Sequence, residues 1–117
     1  MQNTSLTCPP KSGQTRASLG RRELEASVTM LKALAHPVRL RMVDLIRRQG
    51  GELCVCEFEA HFELSQPTIS HHLKILRQAG MIESRQDGSW VRHSIEPRAF
   101  TRLQQLCGTF SEIGEPV

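Results

Sequence analysis

Apolar residues recur with helical spacing along most of the chain. Spacings of three and four residues are typical of helices that bury one face. Three such stripes lie in the first two thirds of the sequence: Leu24, Val28, Leu31 and Leu34; Val38, Met42, Leu45 and Ile46; and Ile69, Leu73 and Leu76. A further stripe lies near the end: Phe100, Leu103, Leu106, Cys107 and Phe110. The pattern predicts a mainly α-helical protein.

Interruptions of this pattern predict where the helices end. His36-Pro37 separates the first two helices, because proline disfavours helical backbone in its predecessor and suits a first helical position itself. Gly50-Gly51 ends the second helix. Ser65 can cap a later helix, which Gly80 can end in the left-handed conformation.

Two extended runs flank Asp87-Gly88, which is a signal for a hairpin with a type I′ turn. With a short helix over about residues 56–62, the order is four helices, a hairpin and a fifth helix. This order predicts a winged helix-turn-helix, mainly α with a small β-hairpin. We expect this domain at residues 21–113, after a flexible N-terminal arm at 1–20 and before a tail at 114–117.

Size and charge narrow the function classes. A chain of 117 residues supports one domain, and a net charge of +3 is compatible with a DNA partner. The apolar stripes of the first and last helices exceed what so small a domain can bury, which predicts a homodimer. No catalytic triad, phosphate loop or paired carboxylates stand out, so no enzyme is expected. No membrane partner or organic cofactor is expected, and the missing signal peptide favours a cytoplasmic location.

The helix after Ser65 has the side chains of a DNA-reading helix on its outward side: Gln66, Thr68, Ser70, His71 and Lys74. Glutamine can pair with adenine, hydroxyls can contact phosphates or bases, and lysine or protonated histidine neutralises phosphate. An ordinary solvated face would carry more Glu/Lys pairs. The hairpin adds Arg85 and Arg92, so we predict that both elements bind double-stranded DNA. His72 lies near the inward edge, where a packing role is the alternative.

Four cysteines are too few and too irregularly spaced for a disulfide scaffold: Cys8, Cys54, Cys56 and Cys107. In a reducing compartment, clustered thiols indicate metal binding or redox chemistry, and spacing leaves both open. Residues two apart on a regular helix point in nearly opposite directions. Cys54 and Cys56 can therefore share one ion only if their segment is extended or the ligand distorts the first helical turn. Burial as small apolar side chains is the alternative.

The segment ELCVCE at residues 52–57 resembles the ArsR/SmtB family of metalloregulatory repressors, as do LAHPVRL at 34–40 and SQPTISHHL at 65–73. The resemblance covers roughly residues 24–107. It implies a homodimeric winged helix-turn-helix repressor that leaves its operator when metal binds. The Leu-Cys-Val-Cys element is similar to that of family members that sense trivalent arsenic and antimony, or cadmium and lead.

The chain departs from the family's arsenic-sensing pattern at Glu59, where a third cysteine is usual. Trivalent arsenic prefers three thiolates, so the third would come from Cys8, Cys107 or an exogenous thiol. Related cadmium and lead sensors use N-terminal cysteines, which ranks Cys8 first. In this family the last helix forms the dimer interface, so Cys107 ranks second. The sequence thus favours As(III) or Sb(III) as the inducer over cadmium, which would take four sulfurs. A thiol redox-responsive repressor and a cadmium or lead sensor are the alternatives.

Overall fold

The computed structural model describes residues 17–111, so most of the predicted arm and the whole predicted tail lie outside the described part. The described elements are, in chain order, α1 (Arg21–Leu34), α2 (Pro37–Arg48), β1 (Glu52–Cys54), α3 (Val55–His61), α4 (Gln66–Gln78), β2 (Ile82–Asp87), β3 (Trp90–Ile95) and α5 (Pro97–Ser111). This order confirms the winged helix-turn-helix, mainly α with a small hairpin. Within residues 17–111, the helices lack the length and hydropathy needed to cross a membrane.

The helices begin and end where the sequence predicted. The His36 ring Nδ1 accepts a hydrogen bond from the Val38 N–H at 3.1 Å and so caps α2. The Ser65 hydroxyl accepts from the Thr68 N–H at 3.4 Å at the start of α4. Gly80 follows α4 with φ of 77°, a conformation in which a side chain would be strained.

The sheet contains a strand that the sequence analysis missed. Its order is β1-β3-β2 with antiparallel neighbours. β1 is only three residues long, too short to show an alternating pattern, and its central Leu53 is 1% exposed. Pairing of β1 with β3 places Cys54 opposite Arg92. The extra strand therefore joins the cysteine segment to the hairpin.

The hairpin itself is confirmed, but its predicted turn type is wrong. Asp87 and Trp90 still pair, so the two turn residues are Gly88 and Ser89. Gly88 has φ of 64°, whereas no described residue other than glycine has a positive φ. A type I′ turn needs positive φ at both central residues, and glycine at the first position alone is the pattern of type II′.

The hydrophobic core lies between the helices and one face of the sheet. Its members are apolar and at most 7% exposed: Met30, Ala33, Met42, Val43, Leu45, Ile46, Leu53, Phe58, Ile69, Leu73, Leu76, Met81, Ile82 and Ala99. The inward faces predicted for α2 and α4 are therefore confirmed. In particular, α4 is anchored by Ile69, Leu73 and Leu76, each no more than 1% exposed, which directs its polar side outward.

The face that α1 turns to the core is not its stripe of larger apolar side chains. Ser27, Met30 and Ala33 are its buried residues. The outer stripe of α1, formed by Leu24, Val28 and Leu31, is 49%, 40% and 48% exposed. On the neighbouring α5, Phe110 is 59% exposed. An apolar surface on the two terminal helices is thus left uncovered in the single chain.

Candidate nucleic-acid interface and thiol cleft

The outward side of α4 presents every polar residue that the sequence singled out. Gln66, Thr68, Ser70, His71 and Lys74 are all exposed. The Thr68 hydroxyl lies 3.0 Å from that of Ser65, so it belongs partly to the helix cap. The sequence analysis missed Arg77, which is also exposed, three residues after Lys74 and thus on the same side of the helix. That spacing could have revealed it.

The two hairpin arginines are held by carboxylates. Arg85 and Arg92 are paired across β2 and β3. An Arg85 N–H donates to Glu52 at 3.1 Å, and the Arg92 Nε–H donates to Asp87 at 3.0 Å. The hydrogen bond to Asp87 holds the pKa of Arg92 above its usual value. The Arg85 side chain, at 70% exposure against 38% for Arg92, is the freer of the two to meet a phosphate.

The cysteine pair spans the junction between β1 and α3. Cys54 is buried in extended backbone and takes the N-cap position, while Cys56 is exposed in the first helical turn. The Cys54 N–H donates to the Glu57 carboxylate at 2.8 Å, which fixes the junction. Burial raises the pKa of the Cys54 thiol, although the Arg92 charge acts in the opposite direction. Cys54 precedes the regular helix. The opposite directions of helical residues two apart therefore do not prevent Cys54 and Cys56 from sharing one ion.

Both thiols line a cleft of about 280 Å³, which we call the thiol cleft. Its walls are Cys54, Val55, Cys56, Glu59, Gln66, Ser89, Trp90 and Val91. Gln66 is the first residue of α4, and residues 89–91 form the tip of the hairpin. A ligand in the thiol cleft would therefore touch both elements predicted to bind DNA.

In the described part of the chain, no third strong donor is grouped with these thiols. Among residues 17–111, no three His, Cys, Asp or Glu side chains are grouped as a metal site. Cys107 is exposed on α5 and is not among the residues that line the thiol cleft. Cys8, the preferred third ligand in the sequence analysis, lies outside the described residues.

His72 is the buried histidine of α4, which confirms the packing role considered for it. It is 9% exposed, and its Nδ1 lies 3.2 Å from an Arg39 N–H donor. Because a guanidinium can only donate, Nδ1 accepts and the ring proton is on Nε2. Arg39, which the sequence analysis did not single out, also donates to the Ala33 carbonyl at 2.6 Å. Arg39 therefore links the end of α1 to α4.

We expect the free energy of unfolding to fall as the pH is lowered from about 7.5 to about 5. His93 is 4% exposed, with its Nδ1 2.8 Å from the Ser84 hydroxyl. Burial lowers the pKa of His93 and of His72. Such a group contributes stability that is fully present above its unfolded pKa of about 6.5 and is lost as the pH falls through the native pKa. Thermal unfolding followed by circular dichroism would measure the loss.

A His93→Gln variant should show a flatter pH dependence over this range, because the buried ionisable group is gone. His61→Gln is the matched control, since His61 is exposed at the end of α3. The carboxylate of Asp44 does not interfere, because the hydrogen bond from Arg47 lowers the pKa of Asp44 from its usual value, further from this window. Identical pH profiles for the wild type and both variants would show that the buried rings do not cause the effect.

Comparison with known proteins agrees with this arrangement. The family model described as bacterial regulatory protein, arsR family, matches residues 36–84. The protein named ArsR in Halobacterium salinarum, to which repression of an arsenical resistance operon is ascribed, is 38% identical over 93 residues, which cover 80% of this chain and 72% of that protein. An arsenic resistance transcriptional regulator of Pseudomonas putida is 47% identical over 76 residues, which cover 65% of this chain and 59% of that protein.

A similar solved structure is the solution NMR structure of a homodimeric winged helix-turn-helix DNA-binding domain from Mycobacterium bovis, described as a possible ArsR-family regulator. It has 25% identity and a TM-score of 0.62, over 86% of this chain and 94% of that one. The family match spans the helix-turn-helix, and the similarity to the Halobacterium protein extends well beyond it. The chain therefore belongs to the ArsR family of bacterial regulatory proteins and is a DNA-binding transcriptional repressor, not an enzyme.

Proposed function

We propose that the repressor leaves its operator when trivalent arsenic or antimony binds the thiolates of Cys54 and Cys56. The observation that carries this proposal is the thiol cleft, whose walls include both cysteines, the first residue of α4 and the hairpin tip. A ligand there competes with the packing that orients the DNA-binding elements. A coupling free energy of about 1–3 kcal/mol would weaken operator binding by about 5- to 150-fold.

On operator DNA, α4 lies in the major groove. Gln66, Ser70 and His71 reach base edges or phosphates near the start of the helix, with Thr68 beside its cap. Lys74 and Arg85 are exposed cations that neutralise phosphates. Arg92 adds a contact only if it exchanges Asp87 for phosphate, because the two are hydrogen-bonded at 3.0 Å. The site of action is the cytoplasm, where such operators lie.

The active form is a homodimer, like the domain from Mycobacterium bovis. The outer stripe of α1 and Phe110 of α5 offer an apolar surface that a second copy would cover. A two-fold dimer reads two half-sites, so the operator is an imperfect palindrome with half-sites about one helical turn, 34–36 Å, or more apart.

Cys8 supplies the third thiolate for inorganic arsenic. Cys107 does not line the thiol cleft, and Glu59, which does, offers oxygen rather than sulfur. The chain from Cys8 to Ala17 has nine residue steps (17 − 8 = 9) and can reach roughly 30 Å. That reach suffices to cross a dimer face.

Arsenite titration of the operator-bound protein tests this function. We expect release of a fluorescently labelled duplex, together with one arsenic per protomer in native mass spectra. Cys8→Ser should demand a higher arsenite concentration at unchanged operator affinity, whereas Cys107→Ser should behave as wild type. Release by peroxide but not by arsenite would show that the signal is thiol oxidation and not metalloid binding. Release by cadmium or lead alone would show that one of these metals is the inducer.

A further inference from the structure

The junction between α1 and α2 leaves backbone carbonyls at the end of α1 without their helical partners. In a continuous helix the Ala33 carbonyl would accept from residue 37, but that residue is proline and has no N–H. Arg39 supplies the donor instead. Its Nε–H donates to the Ala33 carbonyl at 2.6 Å, and a terminal N–H donates to the Lys32 carbonyl at 3.4 Å. The half-buried guanidinium therefore caps α1 and is held in one orientation.

The same guanidinium reaches the DNA-reading helix at its buried histidine. The other terminal nitrogen of Arg39 donates to His72 Nδ1 at 3.2 Å. The His36 ring, which caps α2, lies beside the His72 ring, with 4.7 Å between the ring centroids. On α4, His72 follows directly after the exposed Ser70 and His71. Since a packed helix moves as a rigid element, a shift of His72 also moves the side chains that α4 presents to DNA.

We propose that Arg39 and His72 are positioning residues for operator recognition, because their hydrogen bond fixes α4 relative to α1. The inference rests on the proposed function, in which α4 reads DNA and α1 forms the dimer. In a two-fold dimer, the spacing of the two reading helices depends on how each is attached to the helix at the interface. That spacing has to match the two half-sites. Neither residue needs to touch DNA for this effect.

The hydrogen bond exists only while His72 is neutral. A guanidinium can only donate, so a proton on Nδ1 would set two donors and two positive charges against each other. Burial lowers the pKa of His72, and the charged groups that face it, His36 and Arg39 from the start of α2 and His71 from α4, lower it further. The bond is therefore present at neutral pH and is lost only as the pH falls below about 6.5, the ordinary pKa of histidine.

Operator affinity at pH 7.5, measured by fluorescence anisotropy without arsenite, tests the positioning role. His72→Leu removes the acceptor and should weaken operator binding by about tenfold, the size of one lost base contact, while binding to a duplex of unrelated sequence stays unchanged. His72→Asn, whose side-chain oxygen can take the place of Nδ1, should restore most of the affinity. Arg39→Lys keeps the charge but loses the planar fork, so it should resemble His72→Leu. Arg41→Lys, at an exposed position of the same helix, is the matched control.

The pH profile of operator binding separates positioning from a purely structural role. Between pH 7.5 and pH 5.5 the wild type should lose operator affinity relative to His72→Asn, in which residue 72 cannot take up a proton. Both proteins share His71 and every other titrating group, so the difference between their profiles belongs to His72. Circular dichroism at both pH values checks that each protein stays folded.

The outcomes separate this inference from the proposed function. If His72→Leu and Arg39→Lys bound both duplexes as the wild type does, the inference would be wrong. Equal losses on both duplexes, or a wild-type pH profile identical to that of His72→Asn, would also overturn it. The double variant Gln66→Ala, Ser70→Ala tests α4 itself. If this variant loses operator affinity while His72→Leu does not, the proposed placement of α4 in the major groove stands without the inference. If both bind the operator as the wild type does, that placement fails as well.

Discussion

Replacing either Cys54 or Cys56 with serine is expected to abolish release of operator DNA by arsenite while operator affinity is kept. A serine hydroxyl is not ionised at neutral pH and cannot replace a thiolate as an arsenic ligand. The exposed face of α4, which supplies recognition, is untouched by either change. The wild type should lose about 5- to 150-fold in operator affinity when arsenite is added, and the variants should lose none. Fluorescence anisotropy of a labelled operator duplex measures both quantities.

The structure makes these two substitutions clean tests. Cys54 occupies the N-cap of α3, a position where serine is favoured, so Cys54→Ser keeps a capping side chain. Cys56 is exposed, so its replacement leaves no cavity. Cys107→Ser, on a helix that does not line the thiol cleft, is the matched control. A serine variant that releases DNA at the wild-type arsenite concentration would refute a ligand role for that cysteine.

The DNA-reading helix was predictable because several independent signals agree there. Ser65 caps it, Gly80 follows it in the left-handed conformation, and its apolar residues keep one spacing between these limits. Each signal is local, so it can be read from neighbouring residues. The exposure of the polar side chains could be predicted as well, because the opposite face of the helix, with Ile69 and Leu73, is buried.

The thiol cleft was not predictable, because it depends on contacts between distant parts of the chain. Trp90 lines the same cleft as the cysteines because β1 pairs with β3, and β1 is too short to show an alternating pattern in the sequence. Arg39 reaches His72 across 33 positions for the same kind of reason. The type of the hairpin turn was also missed, because Asp-Gly favours type I′ while the strand register places Gly88 and Ser89 in the turn.

Which face of α1 meets the core could not be predicted from the sequence. Its helical period was correct, but two of its faces carry apolar or small side chains, and periodicity cannot tell which one meets the core. The protomer buries Ser27, Met30 and Ala33 and leaves the larger leucines outside. The larger stripe is therefore the surface to test for dimer formation.

The double substitution Val28→Glu, Leu31→Glu is expected to produce a folded monomer with strongly reduced operator affinity. Both side chains are at least 40% exposed, so the protomer core should tolerate the change. In a two-fold dimer the glutamates would bring four negative charges into an apolar interface, which is costly. Losing the linked second half-site removes an avidity of about 10²- to 10⁴-fold. Light scattering gives the mass, circular dichroism the fold, and anisotropy the affinity.

Thr29→Glu is the matched control for this prediction, because it adds a glutamate to the exposed side of the same helix, away from the outer stripe. It should remain dimeric and bind the operator as the wild type does. If the double variant stayed dimeric with full affinity, the outer stripe of α1 could not be the interface. The apolar surface around Phe110 of α5 would then have to hold the dimer alone, and Phe110→Glu would become the decisive substitution.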